Sequence, residues 1–311
     1  MIQEAVQHGA AAAEGHAETF NAGETILHHV ANSPRAEALI RLPTIGGIDF
    51  SVTKHVFMEW LVAAFLFVVV TTVVRRYLKQ DRLIPSGLMN ALEAVVEFVR
   101  DDIAQPNVGR KWVMTWTPLI LTFFLFILFC NAVGLVPLFD VIGLLDHFVL
   151  HSGPESFVKR LLAGGTTATS NFNVTAALAT ITFGAIIVAG SKAHGFITHW
   201  KNLVPHGLAW PIYILLIPIE VLGMFVRPFA LTMRLAANMT GGHIAILAIL
   251  SFVFLFTQMS GAAAGIGAGL VASVPLAVGI SALEIIVVLV QAYVFTLLTA
   301  VFIGMAIHVH H

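Results

Sequence analysis

Four charged side chains interrupt the apolar last third of this chain, and their types could support ion transport. From residue 202 to residue 311 the only Asp, Glu, Lys or Arg residues are Glu220, Arg227, Arg234 and Glu284. A charge in the middle of a bilayer costs at least about 2.5 kcal/mol on insertion scales, so it is retained where it is compensated or used. Arg234, which has long apolar flanks, is the expected centre of function.

Spacing places three of these charges on one face of a helix. Glu220, Arg227 and Arg234 are seven residues apart, which is two helical turns with a drift of only about 20° per step. Asn238 lies one turn beyond Arg234 and extends this polar stripe. His243, nine residues after Arg234, points about 180° away from it in a regular helix. The two faces are therefore expected to have different roles.

The last apolar segment carries a second polar face, formed by Glu284 and Gln291, which are also seven residues apart. We expect this face to meet the His243 side of the preceding helix. An imidazole beside a buried carboxylate can pass protons near neutral pH. An arginine keeps its proton and acts as a fixed positive charge. The pattern thus predicts a proton path interrupted at Arg234 by a permanent cation, which attracts a carboxylate and blocks a direct leak.

The composition places these residues in a membrane protein. Hydrophobic residues make up 58% of the chain. Asp, Glu, Lys and Arg make up 11%, against roughly a quarter in a soluble domain. The net charge of -1 and the lack of a clustered basic surface predict no nucleic-acid partner. The single cysteine, Cys130, rules out a disulfide framework within the chain, and we expect neither a metal site nor a cofactor.

Hydropathy predicts an all-α, polytopic membrane protein with about five main helical segments, because one crossing of the roughly 30 Å hydrocarbon core needs about 20 apolar residues. The expected segments are three ordinary spans and two longer ones, at about 56–74, 113–137, 173–190, 208–259 and 271–308. Some fifty residues make roughly 75 Å of helix, so the long segments must tilt, kink or double back. A Gly/Ala-rich linker at 261–269 is expected to separate them.

Loop charges predict the orientation of the chain in the membrane. Seven Lys and Arg residues stand between the first two spans, whereas the 138–170 loop holds only Lys159 and Arg160. By the positive-inside rule the first connector is cytoplasmic. With five segments, the polar N-terminal tail (residues 1–50) is expected outside and the C-terminus inside, and residues 51–311 form a single transmembrane domain.

The cytoplasmic connector also contains an amphipathic helix, predicted from apolar residues at helical spacing with charged residues elsewhere around the wheel. Its apolar residues are Leu88, Leu92, Val95, Val96, Val99 and Ile103. Two environments fit this pattern equally well. The helix lies in the membrane interface, or it packs on a partner subunit.

The run RPFALTMRLAANMTGGH, from Arg227 to His243, resembles the signature of the a subunit of F-type ATP synthases. Arg234 is followed by Leu, an Asn comes four residues after it, and a Gly-His pair ends the run. Supporting segments are PIE at 218–220, NAVGLVP at 131–137 and the ALEIIVVLVQ run of the last apolar segment. The likeness covers most of the chain from about residue 50 onward.

This resemblance implies a proton-translocating motor subunit of the inner (plasma) membrane of a bacterium, and not an enzyme by itself. The subunit would couple proton flow through two offset half-channels to rotation and ATP synthesis elsewhere in the complex. The implied partners are a ring of c subunits, each with a membrane carboxylate that faces Arg234, the b-subunit peripheral stalk, other ATP synthase subunits and the lipid bilayer. Two tilted helices would wrap the ring.

Carried over position by position, the resemblance makes Arg234 the stator charge and Asn238 its neighbour in the motif. His243 and Glu284 resemble the outer half-channel pair, and Gln291 resembles the glutamine that packs near the arginine. A structural hydrogen bond between packed helices is the competing interpretation for His243 and Glu284. Interhelical packing is the competing interpretation for Asn238 and Gln291.

Three further positions follow from the same resemblance. Glu220 resembles the acidic residue of the cytoplasmic half-channel, and Arg227 occupies a position that is often basic. An ion pair between these two side chains at the membrane surface is the competing interpretation. Asn173, in the polar start of the third span, is expected to line a channel wall.

Two other classes of protein compete with the motor subunit. A stand-alone ion-coupled secondary transporter would also place ionisable groups in mid-membrane, but the chain lacks a second half of matching hydropathy. An intramembrane metalloprotease would need a His-Glu-x-x-His motif, which the sequence lacks. Copurification with a ring of small hairpin subunits separates the motor from the transporter.

Overall fold

The structure is a computed structural model that describes residues 23, 39–40, 42–45, 48–49, 51–79, 84–135, 146, 148, 168–201 and 210–308. Within these ranges the predicted all-α membrane fold is confirmed, and five helices are long and apolar enough to cross a bilayer. A two-residue antiparallel pair, β1 (Thr44–Ile45) and β2 (Ile48–Asp49), precedes the first helix. The expected N-terminal tail and the 138–170 loop lie almost wholly outside the described residues.

The first part of the fold contains three ordinary spans and a short helical connector. Its helices are α1 (Lys54–Leu78), α2 (Leu88–Glu97), α3 (Gln105–Val108), α4 (Val113–Leu135) and α5 (Phe172–His194). Of these, α1, α4 and α5 cover the three expected ordinary spans. The side chain of Asn171 caps α5 by accepting a hydrogen bond from the backbone N–H of Asn173 at 2.9 Å.

The second part contains the two long segments. Its helices are α6 (Phe196–Lys201), α7 (Trp210–Ser260), α8 (Ala262–Ala268) and α9 (Val274–Ile307). Helix α7 runs for 51 residues through Pro218 and Pro228 without doubling back. Its 51 residues make about 76 Å of helix, more than twice the roughly 30 Å of hydrocarbon, so the helix must be strongly tilted or kinked in the membrane.

The predicted linker at 261–269 is wrong. The chain turns at Gly261, whose φ of 87° favours glycine, and resumes as helix at Ala262, which continues to Ile307. Hydrocarbon supplies no water to satisfy free backbone groups, so a compact turn between two helices is favoured over an open linker. Gly265 permits this hairpin, because a Cβ at that position would overlap the side chain of Thr257 on α7.

Two π-helical segments interrupt helices that the sequence pattern predicts as regular. They comprise Phe98–Ala104, between α2 and α3, and Gly269–Ser273, between α8 and α9. Each ends two residues before a proline, Pro106 or Pro275. A proline has no N–H for the usual hydrogen bond to the fourth residue back, and the wider π turn changes the bonding register just before that position. Sequence periodicity does not report this local shift.

The amphipathic connector is divided between two environments. Its first half, α2, has no buried residue. Its second half packs against α4 and α9 through fully buried side chains of Val99, Ile103, Ala104 and Val108. The core continues between α4 and α9, where the rings of Phe123 and Phe295 meet edge to face at 5.6 Å.

Helix α6 folds back against the end of α5 through one histidine. The ring of His199 is 5% exposed and lies against Gly190, where a Cβ would overlap it. Burial lowers the pKa of His199 from its ordinary value, and the nearby His194 adds to this effect. The uncharged imidazole is therefore the form that packs here.

Candidate functional site

Arg234 lies on the outer surface of α7. Its side chain and that of Asn238 are exposed, whereas Leu231 and Leu235, which lie about 60° and 100° around the helix from Arg234, are buried in the core. Apart from Asn238, the neighbouring exposed side chains are apolar, as at Phe229 and Met233. Among the described residues, no carboxylate forms an ion pair with the Arg234 guanidinium.

Arg227, two turns earlier, is compensated within the chain. One of its guanidinium nitrogens lies 3.5 Å from Oε1 of Glu220, and the guanidinium carbon lies 5.9 Å from the ring centre of Phe302. Both members of the ion pair are about one-third exposed, so the pair contributes only about 1 kcal/mol or less to folding. The heptad stripe therefore contains one neutralised arginine and one exposed arginine without an acidic partner among the described residues.

Gln291 fixes α9 against α7 at the level of Arg234. Its side-chain amide donates a hydrogen bond of 3.0 Å to the backbone carbonyl of Arg234, and the residue is only 2% exposed. A carbonyl oxygen has two lone pairs, so it can accept this bond in addition to the helical one. Gln291 thus holds the backbone that carries the guanidinium and leaves the charged group free to point outward.

His243 and Glu284 meet on the inner side of the same two helices. Nδ1 of His243 lies 3.5 Å from Oε1 of Glu284, and their side chains are 20% and 10% exposed. The expected arrangement of faces is therefore present, with Arg234 outward and His243 toward α9. Along the axis of α7, His243 lies about 14 Å beyond Arg234 and Glu220 lies about 21 Å before it.

Gly242 is a site residue that the sequence argument missed. A Cβ at this position would overlap Oε1 of Glu284, so the carboxylate rests directly on the backbone of α7. Adjacent Gly241 has open space at its Cβ position. The available signal was the Gly-Gly pair inside an uninterrupted helix, where each glycine costs about 1 kcal/mol relative to alanine. That cost indicates a close approach of another group.

Asn173 is placed apart from the other candidate residues. It is the second residue of α5, and its side chain is exposed. Within the described part of the chain, no hydrogen bond or ion pair joins its side chain to another candidate residue. A hydrogen bond that does not involve Asn173 joins α5 to α7: the Thr232 hydroxyl donates to the carbonyl of Thr175 at 3.5 Å.

Comparison with known proteins gives a consistent family. Residues 56–304 match the family model described as ATP synthase A chain. The chain is 40% identical to ATP synthase subunit a 2 of Chlorobium luteolum, over 98% of this chain and 81% of that protein. It is 39% identical to ATP synthase subunit a 2 of Prosthecochloris aestuarii, over 96% and 84%. It is 37% identical to ATP synthase subunit a of Anaeromyxobacter dehalogenans, over 99% and 76%.

Proposed function

Because this chain belongs to the ATP synthase A chain family, we propose that it is the proton-conducting a subunit of an F-type ATP synthase, with Arg234 as the stator charge. One observation carries this proposal: the guanidinium is exposed on a membrane-spanning helix, with no acidic partner among the described residues. An exposed cation in hydrocarbon requires a counter-charge. A carboxylate on each subunit of a rotating c ring supplies one as it passes.

On the outer side of the membrane, Glu284 and His243 deliver protons to the ring. Their contact lets a proton move between carboxylate and imidazole without entering hydrocarbon as a free charge. A ring carboxylate that receives this proton becomes neutral. It can then rotate into lipid at much lower cost than an ionised one.

On the path to the cytoplasmic side of the membrane, Arg234 removes the proton from the ring carboxylate. Its positive charge favours the ionised form of an approaching ring carboxylate, and the released proton leaves toward Glu220. Because the guanidinium never deprotonates, it cannot carry the proton across itself. A potential of about 100 mV supplies roughly 2.3 kcal/mol per proton, so several protons are summed for each ATP made elsewhere in the complex.

The remaining candidates take supporting roles. Gln291 holds the backbone of Arg234 in register with α9, Asn238 adds polarity to the ring-facing surface, and Asn173 lines a channel wall. The loop charges favour an N-terminus outside and a C-terminus in the cytoplasm, and the resemblance implies a bacterial inner membrane. The b-subunit peripheral stalk and other ATP synthase subunits hold the chain against the ring.

Copurification tests the assignment directly. The full chain, solubilised mildly from its native membrane, is expected to carry a ring of small hairpin subunits and to yield a complex that couples ATP hydrolysis to proton movement. A chain that runs alone, with no ring, and still transports ions would overturn the motor assignment. That result would identify a stand-alone ion-coupled secondary transporter.

Substituting Gly242 with alanine is expected to lower ATP-driven proton pumping by about tenfold. The new methyl group overlaps Oε1 of Glu284 and forces the carboxylate away from His243. Because the carboxylate is displaced and not removed, the loss should be smaller than the roughly 10²-fold that removal of a proton-transfer partner typically costs. Fluorescence quenching of a pH-sensitive dye in inverted vesicles measures the initial rate.

The Gly184→Ala variant on α5 is the matched control, because the same methyl group enters open space there, away from the Arg234 face that is proposed to meet the ring. Both substitutions raise helix propensity equally. Equal pumping by the two variants would show that the position of the Glu284 carboxylate does not limit proton delivery.

A further inference from the structure

A cavity of about 350 Å³ lies where α4 begins and where α5 and α9 end. This volume falls in the roughly 300 to 1,000 Å³ range of small-ligand pockets. Four basic side chains line it, namely Arg110, Lys111, His194 and His308. The other lining residues carry no charge, and they are Val108, Gly109, Trp112, Ala193 and Ile307. The proposed proton path uses none of these nine residues.

Two cationic side chains at the cavity have no acidic partner in the described part of the chain. Among the described residues, Arg110 and Lys111 form no ion pair, and both side chains are exposed. The amine of Lys111 lies 5.6 Å from the ring centre of Trp112, a contact that leaves its positive charge uncompensated. Asp101, on the preceding π segment, is engaged by a hydrogen bond of 2.7 Å from Arg100.

Two histidines are fixed beside these cations by the last turn of α9. A ring nitrogen of His194 donates to the carbonyl of Ile307 at 2.8 Å, and one of His308 donates to the carbonyl of Gly304 at 3.2 Å. A carbonyl can only accept, so each bonded nitrogen carries the hydrogen and the second nitrogen is available for another partner. The negative end of the α9 dipole also favours positive charge here.

Gly109 brings the basic loop against this helix end. Its backbone φ of 78° is a value that residues with a side chain rarely adopt. A Cβ there would press on the His308 ring at 3.3 Å, which is closer than ordinary van der Waals contact. The backbone conformation at Gly109 therefore places Arg110 and Lys111 at the mouth of the cavity.

The cavity lies at a membrane boundary, because it joins the ends of three membrane-crossing helices. Two exposed apolar side chains lie close to lining residues in the chain. Met114, two residues after Trp112, is 76% exposed, and Ile197, three residues after His194, is 70% exposed. Trp112 is of the type enriched at the level of lipid headgroups. A ligand held here would meet cations at one end and hydrocarbon at the other.

We propose that this cavity binds a phosphate anion, and that the phosphate belongs to the headgroup of an anionic membrane lipid. Cations at the rim match the phosphate, since arginine and lysine are the common binders of such groups. Exposed Met114 and Ile197 match the acyl chains, which a free phosphate ion lacks. Basic pockets between membrane helices bind anionic headgroups in this way.

The test uses the full chain in the complex with which it purifies, reconstituted in vesicles of phosphatidylcholine with a minority of spin-labelled phosphatidylglycerol. The fraction of immobilised label reports bound lipid. R110Q/K111Q is expected to weaken this binding about 25-fold, at about fivefold for each cation near a headgroup. The matched control is R75Q/R76Q, which removes two charges from the end of α1, outside the cavity lining. It is expected to retain wild-type binding.

Equal loss of label in both variants would overturn the proposal, because it would show general attraction to a basic surface. Displacement of the label by inorganic phosphate in the wild type would reassign the cavity to a soluble anion. Since the four substituted side chains are at least partly exposed, folding should survive, and H308Q provides a second, milder variant. Unchanged binding in both R110Q/K111Q and H308Q would also overturn the assignment.

Discussion

Replacing Arg234 with lysine is expected to abolish ATP-driven proton pumping while the complex remains assembled. An ammonium group placed in a low-dielectric site can lose its proton, whereas a guanidinium cannot. The variant therefore loses the permanent charge that separates the two half-channels and that ionises the ring carboxylate. Dye quenching in inverted vesicles, with subunit content measured on the same preparation, checks both parts of this prediction.

The size of the effect follows from the interaction that is lost. Two unit charges about 4 Å apart attract by about 4 kcal/mol at an effective dielectric constant of about 20. Arg234→Ala removes this attraction entirely. Since each 1.4 kcal/mol is about a factor of ten in rate, Arg234→Ala is expected to pump protons about a thousandfold more slowly than the wild type. Buried Leu231 and Leu235 keep α7 in the core of both variants, so assembly should not depend on the Arg234 side chain.

Arg100→Lys is the matched control for this experiment. Arg100 is partly exposed and donates two hydrogen bonds of 2.7 Å to the adjacent Asp101, outside the spanning helices. Lysine keeps the positive charge there and loses one contact of a surface pair, and such pairs contribute little to stability. Wild-type pumping by that variant, together with none by Arg234→Lys, would isolate the effect to the stator position. Normal pumping by Arg234→Lys would end the stator assignment, whatever the control shows.

The division of α7 into two faces could be predicted because the helix is regular across the relevant residues. Nine residues separate Arg234 from His243, and neither Gly241 nor Gly242 breaks the helix between them. Spacing alone therefore gave opposite directions for the two side chains. The seven-residue interval between Glu284 and Gln291 gave the matching face of α9 by the same reasoning.

How closely α9 packs against α7 could not be predicted, because sequence periodicity indicates the direction of a side chain and not its distance from a neighbouring helix. Gln291 was expected near Arg234, yet it bonds the backbone carbonyl and leaves the guanidinium outside. Glu284 approaches so closely that only glycine fits at position 242. The composition of residues 261–269 also misled, since its four glycines lower helix propensity in water. In hydrocarbon the same backbone must satisfy its hydrogen bonds, and helix begins again at Ala262.

Exchanging His243 and Glu284 in one protein is expected to restore more proton pumping than either single substitution allows. His243→Glu alone sets two carboxyl groups about 3.5 Å apart, where both cannot ionise. Glu284→His alone sets two imidazoles there and removes the acid. The double variant again has one acid and one imidazole in contact. Residues that act as a pair couple by about 0.5–3 kcal/mol, so the recovery should be about twofold to 150-fold.

The double-mutant cycle also decides between transport and simple packing at this contact. Glu220→Gln combined with Glu284→His is the control cycle, because these residues lie at the two ends of the proposed path, and their effects on free energy should add. If the His243 and Glu284 changes also add, the two side chains act independently despite their 3.5 Å contact, and proton delivery does not depend on the pair. If the two changes couple, the imidazole and the carboxylate act as one unit. Proton delivery to the ring then requires one acid and one imidazole in contact, whichever of the two positions holds each group.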